Sequence, residues 1–251
     1  MQNTLYITGA GVSAPSGIPT FRGKDGFWTV GSINYTPQEM ATRYMYENQP
    51  EEFLHWYYLR FARYRNAEPN AVHDWLSNKK LITQNIDGLD EKAGNKSFIP
   101  IHGRLDKMTV YHDQGNFVEL INAPWDSIAK ECPDTKNEKK LKEILLDYFK
   151  ISKTLKKPEK NVSYKPFVLL FDEYYTNIYR MNEAEEWMKC SEKYVFMGTS
   201  FNVNITSIAL NYALKKNYSE IIVVDKEPVD LGIDKIIYKK MTAESYILET
   251  S

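Results

Sequence analysis

At 251 residues the chain is long enough for one large domain, or for a main domain with a smaller insertion, and its 43% hydrophobic content supports a sizeable core. A formal net charge of -1 gives no electrostatic reason to expect nucleic acid or an anionic membrane as partner, and no apolar run approaches the ~20 residues that cross a bilayer. The two cysteines, Cys132 and Cys190, make no disulfide framework and do not by themselves hold a tetrahedral zinc; with no signal peptide expected ahead of the first glycine turn, the expected setting is cytoplasmic and reducing.

The first predicted element is the short apolar strand Leu5-Tyr6-Ile7, broken by Gly9 and Gly11. A strand that runs into a G-x-G turn opening toward a helix lets backbone N–H groups approach a phosphate, with partial positive charge from the helix end. The third glycine of a dinucleotide fingerprint is missing, and Ser13 and Ala14 stand near its place. The turn is therefore either a phosphate cradle or only a tight bend, and its context decides. Residues 37–80 read as helices rich in aromatics, as in PEEFLHWYYLRFARYRN. Next, KKLITQN reads as a buried strand ending in QNID. Gln84, Asn85 and Asp87 supply two amides and a carboxylate suited to a ribose hydroxyl and a carboxamide, although the same residue types also favour a plain turn. His102 follows FIPI and is either a proton acceptor near neutral pH or a satisfied structural histidine; His55, His73 and His112 read as surface or packing residues.

Residues 104–165 begin as short strand-like pieces and lead into a helix at about 138–154, with Leu141, Ile144, Leu145, Tyr148 and Phe149 on one face and lysines opposite. KPFVLLFDE, EKYVFMGTS and SEIIVVDKEP then repeat the buried-strand pattern. Between the last two lies NITSIALNYALKKN, a helix with Ile205, Ile208, Ala209 and Tyr212 on one face. This alternation predicts a doubly wound, mostly parallel, Rossmann-like α/β sheet. Its ligands bind outside the carboxyl ends of the strands, here TGAG, TQNIDG, FDE, GTS and VDKEP, where Asp225 suits a ribose hydroxyl.

Six stretches come in the order and roughly the spacing of the sirtuins, the NAD-dependent protein lysine deacylases, which the chain resembles. They are GAGVSAPSGIPTFRG at 9–23, TQNIDGLDEKAG at 83–94, IHG at 101–103, KPFVLLFDE at 165–173, GTSFNV at 198–203 and VVDKEP at 223–228. The resemblance implies NAD as cofactor and an acyl-lysine protein or peptide as substrate, with release of nicotinamide and O-acyl-ADP-ribose. It makes the early turn the pyrophosphate site, with Gly9, Ala10, Gly11, Ser13 and Pro19, and it places Phe21 and Arg22 over the reacting ribose. It assigns Gln84, Asn85, Ile86 and Asp87 to the nicotinamide and ribose end, and makes His102 the general base on the ribose, so that His102, Asn85 and Asp87 form the catalytic set. Gly198, Thr199 and Ser200 become the second cofactor turn, and Asp225 the far ribose contact. Phe171, Glu173 and Val203 fall on the two edges that clasp the peptide as an added strand. The expected organisation is an NAD-binding domain from 1–36, 81–103 and 166–251, a helical insertion at 37–80 holding the acyl pocket, and a small module at 104–165.

Three departures and one match to a single branch accompany the resemblance. Where sirtuins usually place two Cys-x-x-Cys pairs, this chain has Val110 and Asp113, then Lys157 to Lys160; a zinc-free module is expected, packed instead by the helix at about 138–154. Asp172 replaces a glycine in FDE, which is expected to obstruct the peptide or change its preference. The usual Gly-Asp pair near the adenine is replaced in IIYKKMTAESY. Finally, Tyr57 and Arg60 fall in register with the Tyr-x-x-Arg pair of the desuccinylase branch. There an arginine grips a malonyl or succinyl carboxylate, although chance core and surface roles are the alternative in so aromatic a helix. The leading expectation is a deacylase favouring acidic acyl groups. The alternatives are an NAD glycohydrolase or ADP-ribosyltransferase on the same site, and an NAD-binding sensor without turnover.

Overall fold

A computed structural model of the chain describes residues 3–20, 35–60, 62–114 and 117–250, the side chains of Arg60 and Arg63 apart. The strands in chain order are β1 (Thr4–Thr8), β2 (Leu81–Thr83), β3 (Phe98–Pro100), β4 (Gly103–Val110), β5 (Ile121–Asn122), β6 (Tyr164–Val168), β7 (Lys193–Met197), β8 (Glu220–Asp225) and β9 (Ile236–Lys240). The helices are α1 (Pro37–Met40), α2 (Arg43–Asn48), α3 (Pro50–Arg60), α4 (Ala71–Leu76), α5 (Leu89–Lys92), α6 (Trp125–Glu131), α7 (Glu138–Tyr148), α8 (Met181–Cys190), α9 (Asn204–Leu214) and α10 (Ala243–Thr250). No described helix is long and apolar enough to cross a membrane. The chain forms two units, one from residues 3–20, 67–101 and 180–250, the other from 35–60, 62–66, 102–114 and 117–179.

The first unit is built on a six-stranded sheet of order β3-β2-β1-β7-β8-β9 in which every pairing is parallel. Runs such as KYVFM and EIIVVD are almost continuously apolar because both faces of the sheet are covered. Leu81, Val195, Met197, Ile222 and Val224 pack with Val72 and Leu76 of α4 and with Tyr246 and Ile247 of α10. Successive side chains alternate, so Leu5, Ile7, Tyr194 and Phe196 fill the opposite face and are also fully buried. The order runs backward through the chain to β1 and then jumps to β7. Winding reverses at that junction, the place where open parallel sheets bind their ligands.

The second unit carries an antiparallel sheet of order β5-β4-β6 beside the helices α1, α2, α3, α6 and α7. Its core is aromatic: Tyr46 meets Phe53 at 5.3 Å between ring centroids, Phe53 meets Tyr57 at 4.7 Å, and Trp125 meets Phe149 at 5.3 Å. Helix α3 packs on α7, whose Leu141, Ile144, Leu145 and Leu146 are buried. The predicted helix ends at Tyr148 rather than 154, because Lys150 takes a left-handed backbone (φ 52°).

Three expectations are corrected. KPFVLLFDE supplies β6, which pairs antiparallel with β4 and lies outside the parallel sheet. An apolar run shows burial, not which sheet it joins. Accordingly residues 35–36, 102–103 and 166–179 belong to the second unit, whereas 67–80, expected within the helical insertion, belong to the first because α4 covers the parallel sheet. The two expected insertions are thus parts of one unit. Lastly, β1 leads into two short 3-10 turns, Ala10–Val12 and Ala14–Ser16, rather than directly into an α-helix.

Candidate active site

The carboxyl ends of β1, β2 and β7 converge in the first unit, and their turns touch. Gly9 N–H donates to the Met197 carbonyl at 3.0 Å and Gly11 N–H to the Gly198 carbonyl at 3.0 Å. A methyl group on Gly11 would stand 2.6 Å from the Gly198 Cα, and one on Gly198 2.7 Å from the Gly11 Cα. The glycines therefore let the two turns pack backbone to backbone. This changes the reason for the G-x-G pattern: several of its N–H groups are already spent on neighbouring carbonyls, and close approach of two turns demands the missing side chains.

A polar network lies beside this contact. Asn85 is buried and its Nδ2 donates to the Gly9 carbonyl (3.1 Å) and to Ser13 Oγ (3.0 Å). Ser13 Oγ donates to Asp87 Oδ2 at 2.7 Å, and Asp87 Oδ1 accepts the Leu89 N–H at 2.9 Å. Gln84 and Thr199 exchange side-chain hydrogen bonds at 3.1 and 3.3 Å. The structure thus brings together Gly9, Gly11, Ser13, Gln84, Asn85, Asp87, Gly198 and Thr199. Asp225 ends β8, and its Oδ1 accepts the Glu227 N–H at 3.0 Å. Phe21 and Arg22 lie outside the described residues.

Sequence reasoning missed two members of this network. His73 is fully buried; its Nδ1 accepts the Asn70 N–H at 3.3 Å and its Nε2 lies 3.5 Å from Ser13 Oγ. Asn70 caps α4 and donates to the Val12 carbonyl and to Ser16 Oγ, both at 2.9 Å. The signal was present in PNAVH, a capping Asn with His three residues on. Burial holds the His73 pKa below the ordinary imidazole value against the opposing pull of Asp87 and Asp74. Below the network sits Asp90, whose Oδ1 has no hydrogen-bond partner; burial, then the Asp87 charge, push its pKa up to about 7.

In the second unit His102 immediately precedes β4. Gly103 beside it has φ 84°, and a Cβ there would strike the Phe167 carbonyl oxygen at 2.1 Å, which is why glycine must follow the histidine. The His102 carbonyl accepts the Leu169 N–H at 2.9 Å, and Nε2 lies 2.9 Å from the Tyr175 hydroxyl. Tyr57 is 3% exposed in the aromatic core, and burial raises its pKa strongly. It shares α3 with Arg60, three residues on.

The FDE turn is built differently from expectation. Asp172 accepts the backbone N–H groups of Arg43 (2.6 Å) and Tyr44 (3.0 Å), capping the start of α2. It is therefore engaged within its own unit, which removes the reason to expect obstruction of a peptide. Glu173 also changes role: its side chain is 1% exposed and pairs with Lys165 (3.2 Å), itself 1% exposed, and with Arg43 (3.3 Å). Burial lowers the Lys165 pKa, opposed first by the Glu173 charge. Such a carboxylate braces the turn from within. Phe171 is 53% exposed. Val203 lies in the first unit, at the start of α9.

The donors at the expected zinc positions do not fit that metal. Val110 offers no ligand atom, and Asp113 is ion-paired with Lys160 at 2.6 Å. Elsewhere Glu52, His55 and Glu138 bring candidate ligand atoms within 4.8 Å of one another. There the Lys142 ammonium already bridges the two carboxylates, at 2.6 and 2.5 Å.

The Sir2 family model matches residues 9–205. The chain is 28% identical over 244 residues to the NAD-dependent protein deacylase of Bacteroides thetaiotaomicron, a match spanning 95% of this chain and 91% of that one. It is 45% identical over 127 residues to NAD-dependent protein deacylase 1 of Archaeoglobus fulgidus, across 48% of this chain and 50% of that one. The chain thus spans about half the length of the first curated relatives it matches. Among solved structures, one described under the mechanism and regulation of Sir2 enzymes superposes with TM-score 0.70 at 26% identity, covering 98% of this chain and 90% of that one. A Sir2 protein with a deacetylated p53 peptide and an acetyl ADP-ribose superposes with TM-score 0.74 at 20% identity, over 99% and 93% of the two chains, a likeness of fold.

Proposed function

The chain belongs to the Sir2 family, and we propose that it is an NAD-dependent protein lysine deacylase that releases nicotinamide and O-acyl-ADP-ribose. The observation that carries this reading is the network of buried Ser13 and Asn85 with half-buried Asp87 at the reversal point of the parallel sheet. Amide, hydroxyl and carboxylate groups held there suit a carboxamide and ribose hydroxyls, and NAD supplies the glycosidic bond that is broken. Asn85 is fixed by two donated hydrogen bonds, so its side chain is oriented before any ligand arrives. Asp87 accepts from Ser13 and Leu89, which holds its carboxylate in one rotamer. His102 accepts a proton from the ribose hydroxyl as general base.

The acyl preference follows from Tyr57 and Arg60 on α3. An arginine there favours malonyl- or succinyl-lysine through paired hydrogen bonds to the acyl carboxylate. The capping role of Asp172 favours deacylation over a plain NAD glycohydrolase, since the substitution no longer argues against a peptide. The test is incubation with NAD and acetyl-, malonyl- and succinyl-lysine peptides, with products identified by mass. Peptide-dependent O-acyl-ADP-ribose is expected. His102→Ala should abolish it while NAD still binds, and Asn85→Ala or Asp87→Ala should cripple every NAD-dependent activity. Nicotinamide release at equal rates with and without peptide would replace this reading by NAD hydrolysis.

A further inference from the structure

Two backbone groups that cannot titrate set the direction of every proton around Ser13. The Asn70 N–H can only donate, so His73 Nδ1, 3.3 Å away, accepts and the ring proton sits on Nε2. That nitrogen faces Ser13 Oγ at 3.5 Å and is therefore the donor in the contact. At the other end the Gly9 carbonyl can only accept, which turns the Asn85 amide so that Nδ2 points to Gly9 (3.1 Å) and to Ser13 Oγ (3.0 Å). Two donors thus fill the two lone pairs of the Ser13 hydroxyl, and its single proton is left for Asp87 Oδ2 at 2.7 Å. Asp87 Oδ1 accepts the Leu89 N–H at 2.9 Å, so both carboxylate oxygens act as acceptors. We propose that His73 is a positioning residue for the cofactor site: its Nε2–H fixes the Ser13 hydroxyl so that Asp87 presents acceptors alone to the carboxamide and ribose of NAD. This rests on the reading of Asp87 as a cofactor-binding residue.

The imidazole is held in place from its own helix. Asn70 caps α4 by accepting the Val72 N–H at 2.9 Å, and its Nδ2 donates to the Val12 carbonyl and to Ser16 Oγ, both at 2.9 Å. The cap therefore ties α4 to the turn that carries Ser13. Burial lowers the His73 pKa more than Asp87 and Asp74 raise it, so at neutral pH the ring is uncharged and has one proton to give. Hydrogen bonds accepted by the Ser13 oxygen polarise its O–H and strengthen the donation to Asp87. Each carboxylate oxygen keeps a further lone pair for a ligand, so the contact costs the site no acceptor. A carboxylate oriented before NAD arrives has less freedom to lose on binding.

Calorimetric titration with NAD tests this without turnover, on two variants. His73→Asn keeps a carbonyl oxygen near the Nδ1 position for the Asn70 N–H but falls short of Ser13. His73→Gln puts an amide N–H near the Nε2 position. The Asn variant should bind NAD roughly two- to fivefold more weakly, the lower part of the worth of a neutral hydrogen bond because the contact is long. The Gln variant should recover much of that loss. Equal losses in both, no loss in either, or a loss confined to the Gln variant would reduce His73 to packing and overturn the proposal. Nitrogen NMR of the unaltered chain gives an independent reading: the His73 proton should reside on Nε2, and a proton on Nδ1 would refute the donor assignment. If NAD binding follows this order while no acyl-lysine peptide is deacylated, the deacylase reading fails and the positioning role of His73 stands. An unaltered chain that binds no NAD would remove the cofactor reading of Asp87, and this proposal with it.

Discussion

Asp90→Asn should raise stability at alkaline pH and do so in a defined window. Asp90 is 2% exposed, one of its oxygens has no hydrogen-bond partner, and the Asp87 carboxylate faces it. Its pKa rises from 3.8 to about 7 on folding, because burial first and the Asp87 charge second disfavour the anion. Between those values the folded chain holds a proton that the unfolded chain has released. Stability therefore falls as pH rises from about 4 to about 7 and is level above that. Three pH units at 1.36 kcal/mol each set the full loss at about 4 kcal/mol, reduced to about 2–4 kcal/mol when the surroundings relax. An amide cannot ionise, so Asp90→Asn should escape this loss while remaining able to accept a hydrogen bond from Thr83. Urea unfolding of both chains at pH 5 and pH 8 measures the effect; the two pH units left between pH 5 and the folded pKa set the widening of the gap at about 1–3 kcal/mol. Taking the difference between chains cancels the other groups that titrate, His73 among them. A gap of equal size at both pH values would refute the argument.

Three further outcomes follow from the same geometry. Gly11→Ala should cost about 1–3 kcal/mol, since its methyl would meet the Gly198 backbone at 2.6 Å, and should lower the thermal midpoint by several degrees in a scan. Asp172→Ala should cost about 1 kcal/mol of stability in denaturant titration by uncapping α2, with little change in peptide KM; a large KM change would restore a direct role in the peptide clasp. Arg60→Met should lower kcat/KM for a succinyl-lysine peptide by roughly 30-fold or more while leaving an acetyl-lysine peptide nearly unchanged, because only the former needs a charged partner. Equal losses on both peptides would make Arg60 structural.

Much of the site was legible because its chemistry lies in contiguous residues. GAGVS, QNID and GTS each carry their donors and acceptors within a few positions, and the alternation of strand and helix places those tips at one end of a parallel sheet. The apolar runs announced buried strands for the same local reason. Other features depend on which distant residues meet. KPFVLLFDE is as apolar as its neighbours, yet hydrogen bonding to β4 puts it in a separate sheet. Asp172 looked like an obstruction until its carboxylate was found on the backbone of Arg43 and Tyr44, and Glu173 looked available until Lys165 was found beside it. PNAVH declared His73 only as part of a helix cap; its place beside the network comes from Ser13, 60 positions away. Side-chain type and spacing along the chain declare what a segment is able to do. Burial and long-range partners decide what it does, because the energy of a charge or hydrogen bond depends on the surroundings that only folding creates.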